Sequence, residues 1–279
     1  MINTIYVNGC SWSAGDEINT DDKFKNYLIQ NNLNLSKENN WNIYDNDNNL
    51  VGYVSDFYQF FNWGGILKKK FNCENYINNA LGGGSNQRIL RETLNFIMNY
   101  PIKERENLLV VIGWTCADRH EIYFKPNNNW ERFNPVMKFS ESLDTYKKIS
   151  IDTKVLEEYD KFHNDYNILI FDEYERFDTF SKQIYLLSNT LENLKIKYYF
   201  FESFTNMGGI LSSVENKIND FQPWIDWYDN NDKFLKETNM LNFVNEKKLK
   251  FGKFLHPLID GHETWGNYLH MKIKNLYNV

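Results

Sequence analysis

Four short stretches of this chain carry residues of the kind that acyl transfer by a serine requires. That chemistry needs a nucleophile, a base to take its proton, donors for the tetrahedral oxyanion and a group to orient the base. The first stretch, Asn3 to Glu17, runs from a short apolar strand (Ile5, Tyr6, Val7) into Gly9, Cys10 and Ser11, then a polar turn. A strand that stops at a small-residue turn can hold a hydroxyl at the C-terminal edge of a sheet, where open α/β folds bind ligands. Ser11 is therefore the candidate nucleophile. The second stretch, Asn78 to Asn86, contains Gly82, Gly83 and Gly84. A residue without a side chain lets its backbone N–H approach a substrate closely, which makes this glycine run a candidate source of oxyanion donors. A glycine-rich turn before a helix also binds anions in general.

The third stretch is Gly113-Trp114-Thr115, followed by Arg119 and Glu121. Thr115 offers a hydroxyl donor, although its reach is short and its proton can rotate away, and Asn86 is an alternative third donor. Arg119 and Glu121 either bind substrate or pair with each other. The fourth stretch, His256 to Trp265, supplies His256 as candidate base, because an unperturbed imidazole pKa of ~6.5 suits proton transfer at neutral pH. Asn86, Trp114, Arg119, Glu121 and His262 make up the candidate substrate contacts.

In order along the chain, these stretches resemble the four signatures of the SGNH (GDSL-like) hydrolases. Gly9-Cys10-Ser11 resembles Gly-Asp-Ser with a cysteine at the aspartate, and is most similar to the GCSF-T-aGdE variant of phage-encoded relatives. Asn78 to Asn86 resembles the second signature, in the relatives' form NlA-x-GGaSN. Gly113-Trp114-Thr115 resembles Gly-x-Asn with threonine at the asparagine, and Arg119 and Glu121 match the WT-R-E continuation. His256-Pro257, with Gly261, His262 and Trp265 behind it, resembles Asp-x-x-His-Pro and its trailing GH-xx-W. The resemblance implies Ser11 as nucleophile, His256 as base, and Ser11, Gly83 and Thr115 as oxyanion donors. The departure is Lys253, which stands where the family has its aspartate. A lysine cannot accept an imidazole N–H. Asp260 is the nearest replacement acid, a backbone carbonyl orienting a Ser-His dyad is a second, and a weakened or inactive site is a third. A shifted Asp260–His262 pair is also open, at the cost of the His-Pro match.

Composition narrows the function classes. A chain of 279 residues can bury a substantial core, and 42% apolar with 17% aromatic residues exceeds what disordered chains carry. A net charge of −6 argues against a nucleic-acid binder that works by neutralising phosphates. No apolar run approaches the roughly 18 residues of a membrane span, and no secretory leader pattern is visible. Three widely spaced cysteines (Cys10, Cys73, Cys116) fit a reducing compartment, so a cytoplasmic protein is expected, or a virion one if phage-encoded. With no Cys-x-x-Cys and no clustered histidines, neither a metal nor a cofactor is expected.

The elements that must position these residues alternate. Strands are predicted at Ile5–Val7, Tyr76–Ala80, Leu108–Ile112 and Ile196–Phe201. Helices are predicted from Ser55 to Lys70, after Ser85, from Tyr174 (with Phe177, Phe180, Ile184, Leu187 and Leu191 as one stripe) and from Trp265. Leu108–Ile112 is continuously apolar, the mark of a parallel strand buried on both faces. The fold class expected is α/β: a single SGNH-like domain, a three-layer α/β/α sandwich on an open, flavodoxin-like parallel sheet. Segments 18–51 and 125–167 read as long insertions, the first a partly ordered excursion beside the site and the second of mixed character. The functional expectation is hydrolysis of a small acyl or carbohydrate O-acetyl ester. The alternative is an SGNH-fold binding or virion-associated module, because Cys10, Thr115 and Lys253 all depart from the pattern.

Overall fold

Strand β1 (Thr4–Gly9) lies at the middle of the molecule with every residue buried. The computed structural model describes residues 1–36, 42–117, 119–133, 150–169, 173–204 and 222–279. After β1 come a single helical turn, α1 (Ser11–Ala14), and helix α2 (Asp22–Gln30), followed by three short strands, β2 (Leu33–Leu35), β3 (Asn42–Asp45) and β4 (Leu50–Tyr53). Helices α3 (Val54–Phe57) and α4 (Trp63–Phe71) lead to β5 (Asn75–Asn78), α5 (Asn86–Asn99) and β6 (Leu108–Trp114). A hairpin, β7 (His120–Phe124) and β8 (Asn129–Phe133), precedes α6 (Thr153–Leu169) and α7 (Glu173–Asn193). Strand β9 (Lys197–Glu202) and helices α8 (Gln222–Asn230), α9 (Met240–Glu246) and α10 (Ile259–Tyr277) complete the chain.

The main sheet has the order β5-β1-β6-β9 and every pairing is parallel. Alternation along β6 divides the core in two. Leu108, Val110, Ile112 and Trp114 face Ile89 and Ile97 of α5 and Phe177, Phe180, Ile184, Leu187 and Leu191 of α7. Leu109 and Val111 face Trp63 and Leu67 of α4, Phe243 of α9 and Trp265, Leu269 and Ile273 of α10. Helices therefore cover both faces of a parallel sheet, the three-layer α/β/α arrangement that the buried central strands require. Beyond β9 the open edge is partly covered, because Phe200 N–H donates to Lys233 O and Leu235 N–H to Phe200 O. No helix among the described residues is long and apolar enough to cross a membrane.

One sequence expectation needs correction here. The helix expected from Ser55 to Lys70 is broken at 58–62. Gly65 sits so close to the chain before it that a Cβ would fall 1.6 Å from Gln59 O. A new N-cap, Asn62, accepts from Gly65 N–H and restarts the helix. Among the described residues of segment 18–51, α2 buries Phe24 and Leu28 against Ile43, Val54 and Tyr58, and β2-β3-β4 form an antiparallel sheet. The segment's Asn/Asp richness is turn chemistry, as where Asp45 accepts from the N–H groups of Asp47 and Asn49. Strands of three or four residues with one buried side chain give too little period-2 signal to detect.

Candidate active site

The C-terminal ends of β1, β5 and β6 lie side by side, with Gly9 in register with Gly113. Ser13, on the turn after Ser11, wedges between them: a Cβ on Gly9 would fall 2.3 Å from Ser13 Oγ, and one on Gly113 2.5 Å from it. Both glycines are small because a helical turn must seat directly on two adjacent strand ends. Asn8 stitches the same junction, its amide donating to Ile89 O at 3.2 Å and Thr93 Oγ1 at 3.0 Å. Cys10 is fully buried in the core below the sheet, so it packs as a small apolar residue.

The triple glycine is docked on this junction. Leu81 N–H donates to Gly9 O at 3.2 Å, and Gly84 N–H to Leu81 O at 2.8 Å closes a turn. Gly83, third in that turn, has φ 71°, which glycine adopts without strain. Gly82 lies against the Asp16 carboxylate, where a Cβ would come within 2.6 Å. Ser85 caps α5 by accepting from Arg88 N–H. Asn86, the next residue, clamps the loop after β6: its Oδ1 accepts from Thr115 N–H at 3.0 Å, and its Nδ2 donates to Thr115 O at 3.0 Å. That amide fixes the loop and is not free to face an oxyanion. Three donors at this edge have no acceptor among the described residues: the Ser11 N–H, the Gly83 N–H and the fully buried Thr115 Oγ1.

His256 is tied to the Ser11 loop by a route that the sequence did not suggest. Its loop is closed by a bridge between Phe251 and Pro257 and folds around the carboxylate of Glu17, 239 residues away in sequence. Glu17 accepts from Phe254 N–H at 2.9 Å, His256 N–H at 3.1 Å and His256 Nδ1 at 3.0 Å. Leu255 takes φ 62°, a left-handed conformation that turns the flanking N–H groups toward one anion. Gly252 makes room, since a Cβ there would fall 2.6 Å from the carboxyl carbon. Burial alone would raise the Glu17 pKa, but the two backbone N–H groups and His256 outweigh it and hold the carboxyl below its ordinary range. With Glu17 ionised, Nδ1 carries the imidazole proton and Nε2 is left as the basic nitrogen. Neither Ser11 Oγ nor His256 Nε2 hydrogen-bonds a described residue, and no hydrogen bond joins them. Gly15 and Asp16 N–H both fold back on Ser11 O, so Glu17 ties His256 to the compact loop that carries Ser11.

Several expected site residues lie elsewhere. Asp260 is exposed and pairs with Lys23, so the carboxylate on His256 is Glu17 instead. Lys253 points its ammonium over the Phe254 ring, 5.5 Å from the centroid. Trp114 is a core residue with no exposure, packed edge-on against Phe180 and Phe200. His262 is also fully buried, with neither ring nitrogen partnered among the described residues. Burial, with the nearby His256, pushes its pKa down to about 3, so it stays neutral. Arg119 and Glu121 do not pair with each other: Glu121 bonds Arg91 at 2.9 Å, and burial raises its carboxyl pKa despite that pair. Glu17 was legible in principle, as the one carboxylate beside Asp16 in the stretch that carries Ser11. No group of three or more metal-ligating side chains occurs among the described residues.

The sheet order and the two helical layers define an α/β protein with an open parallel sheet. Residues 44–279 match the model of a family of unknown function, DUF6071, and the chain belongs to that family. The match takes in the triple glycine, Thr115 and His256, while Ser11 and Glu17 precede it. Solved structures similar to the chain include the psychrotrophic esterase EstA from Pseudoalteromonas sp., in a structure inhibited by monoethylphosphonate (12% identity, 99% of this chain and 100% of that one, TM-score 0.46). A lipase from a goat rumen metagenome aligns at 13% identity over 97% of each chain (TM-score 0.42). A member of the lipolytic G-D-S-L family from Veillonella parvula DSM 2008 aligns at 12% identity over 99% of this chain and 98% of that one (TM-score 0.41). No curated protein matches.

Proposed function

We propose that the chain is a serine ester hydrolase of the SGNH type, similar to the phage-encoded variants of that pattern, acting on small acyl or carbohydrate O-acetyl esters. The observation that carries this reading is the Glu17 carboxylate on His256 Nδ1, which orients an imidazole within the loop system that bears Ser11. Ser11 Oγ attacks the ester carbonyl carbon and gives its proton to His256 Nε2. The negative oxygen of the tetrahedral intermediate is met by the N–H groups of Ser11 and Gly83 and by Thr115 Oγ1. On collapse the alcohol leaves with the proton from His256. Water then attacks the acyl-serine, losing a proton to His256, and as the acyl C–O bond breaks His256 returns that proton to Ser11 Oγ, releasing the acid and free Ser11. Glu17 stays ionised throughout and stabilises the imidazolium.

The test is labelling by a serine-directed fluorophosphonate together with hydrolysis of 4-nitrophenyl acetate. The reading expects Ser11 to be the modified residue and both signals to vanish in Ser11→Ala. Hydrolysis that survives Ser11→Ala, or no labelling of Ser11, rejects it in favour of a binding module on the same fold.

A further inference from the structure

The aromatic cluster that begins next to Ser11 ends in a cation with no counter-charge among the described residues. Trp12 follows the candidate nucleophile, and its ring meets Phe204 at 4.6 Å and Phe251 at 5.9 Å. Phe204 lies just past β9 and Phe251 at the base of the His256 loop, so this cluster joins the Ser11 turn, the end of β9 and the His256 loop. The Arg119 guanidinium sits over Phe204, its central carbon 5.3 Å from the ring centroid. Arg119 N–H bonds Cys116 O at 3.4 Å, which holds the residue in the turn directly after Thr115.

Arg119 differs from the other arginines near the sheet. Arg88 donates to Asn79 O at 2.9 Å, Arg91 pairs with Glu121, and Arg105 donates to Ile97 O at 2.9 Å. Arg119 Nη1 is buried, and among the described residues it has no hydrogen-bond partner and no carboxylate lies within ion-pair distance of Arg119. A guanidinium cannot shed its proton to escape that cost. Its planar donor edge matches a carboxylate, and the ring beneath it fixes the plane without neutralising the charge. In a chain of net charge −6 the overall field repels anions, so a local cation is what would let an anionic substrate dwell at this edge.

We propose that Arg119 is the specificity-determining residue of the site and that the ester it serves carries a carboxylate, which Arg119 holds while the carbonyl is presented to Ser11. This rests on the hydrolase reading above. The comparison uses two esters that differ by one carboxylate, 4-nitrophenyl acetate and mono-4-nitrophenyl succinate. Arg119→Met should lower the ratio of kcat/KM, charged over neutral, by about 10- to 100-fold, the worth of a charge-assisted hydrogen bond. Arg119→Lys should recover part of that ratio. An unchanged ratio overturns the proposal, because a purely structural arginine would move both esters together. Should neither ester be turned over, the hydrolase reading fails by itself, and succinate binding followed by thermal shift still decides this point. A rise in Tm for the wild type that Arg119→Met abolishes supports the carboxylate site. No rise, or an equal rise in both, overturns it.

Discussion

The two halves of the candidate site are held in opposite ways. The Ser11 half is cross-linked many times over: Ser13 fills the gap between Gly9 and Gly113, Leu81 bonds Gly9, Asn8 reaches α5, and Asn86 clamps Thr115. The His256 half is a loop whose tip is open to solvent, with Phe254 70% and Leu255 69% exposed; it closes on itself through Gly252 N–H to His256 O at 2.8 Å, and one carboxylate, Glu17, ties its tip to the Ser11 loop. Redundant contacts tolerate single losses, whereas a single anchor does not. Substitutions that remove chemistry from the Ser11 half should thus leave the fold intact, while loss of Glu17 should disturb both chemistry and loop.

The largest effect expected is Ser11→Ala. It removes an oxygen that bonds no described residue, so stability should hold while ester hydrolysis falls by about 10^4-fold or more. A melting temperature that drops with activity would mean the hydroxyl is structural, and the contrast between the halves would fail.

Next is Glu17→Gln, which keeps the side chain's shape but loses the charge that orients and stabilises the imidazolium. A kcat loss of about 10^3- to 10^4-fold is expected, with KM little changed. The same variant should loosen the 252–256 loop, read as faster amide exchange at Phe254 and His256, with the exchange of β1 unaffected. If kcat is unmoved, a dyad without an acid is the better account.

The same carboxylate makes a pH prediction. Its folded pKa lies below its unfolded value, so its contribution to stability is fully present above the unfolded value, near ~4.3, and is lost as pH falls through the folded one. The wild type should lose Tm across that acid range. Glu17→Gln should start from a lower Tm and lose less, and parallel curves for the two proteins would remove Glu17 as the titrating group.

Asn86→Ala tests redundancy from the other side. It takes both partners from the Thr115 peptide, at a cost of about 1–3 kcal/mol of stability for buried groups left unpaired. Because Ser13 and the β1–β6 register still hold the edge, hydrolysis should fall by about 10-fold and not vanish. A complete loss would show that the Ser11 half hangs on one amide as the other half does.

How far all this could be read from the sequence follows the same division. The four strands of the main sheet, the apolar stripe of α7 and the adjacency of the β1, β5 and β6 ends were legible, because they rest on local pattern and on the pairing of parallel strands. The carboxylate on His256 was not: the hydrolase pattern that the sequence resembles looks for one beside the histidine, and Glu17 meets His256 only through tertiary folding. Trp114 and His262 misled for a related reason. Beside a motif, a tryptophan or histidine reads the same whether it faces the crevice or the core, and only packing tells them apart.

The smallest effects expected are at Asp260 and Lys253, and they sharpen the contrast most. Asp260→Asn removes one partner of an ion pair with Lys23 in which both side chains are more than half exposed. Solvent screening limits such pairs to about 0–1 kcal/mol, so stability and hydrolysis should both stay close to wild type. Lys253→Asp puts a carboxylate where the hydrolase pattern has one, yet both N–H groups of the loop and the imidazole Nδ1 already have Glu17 as acceptor. It should therefore change hydrolysis by less than about 3-fold, within the few-tenths range of an exposed charge. In the Glu17→Gln background the two variants become decisive. If Lys253→Asp restores part of the lost kcat there and not in the wild type, the loop accepts an acid from either side and Glu17 is the one in use. If Asp260→Asn is damaging in the wild type, His256 changes partner during turnover, and the single-anchor account of this half is wrong.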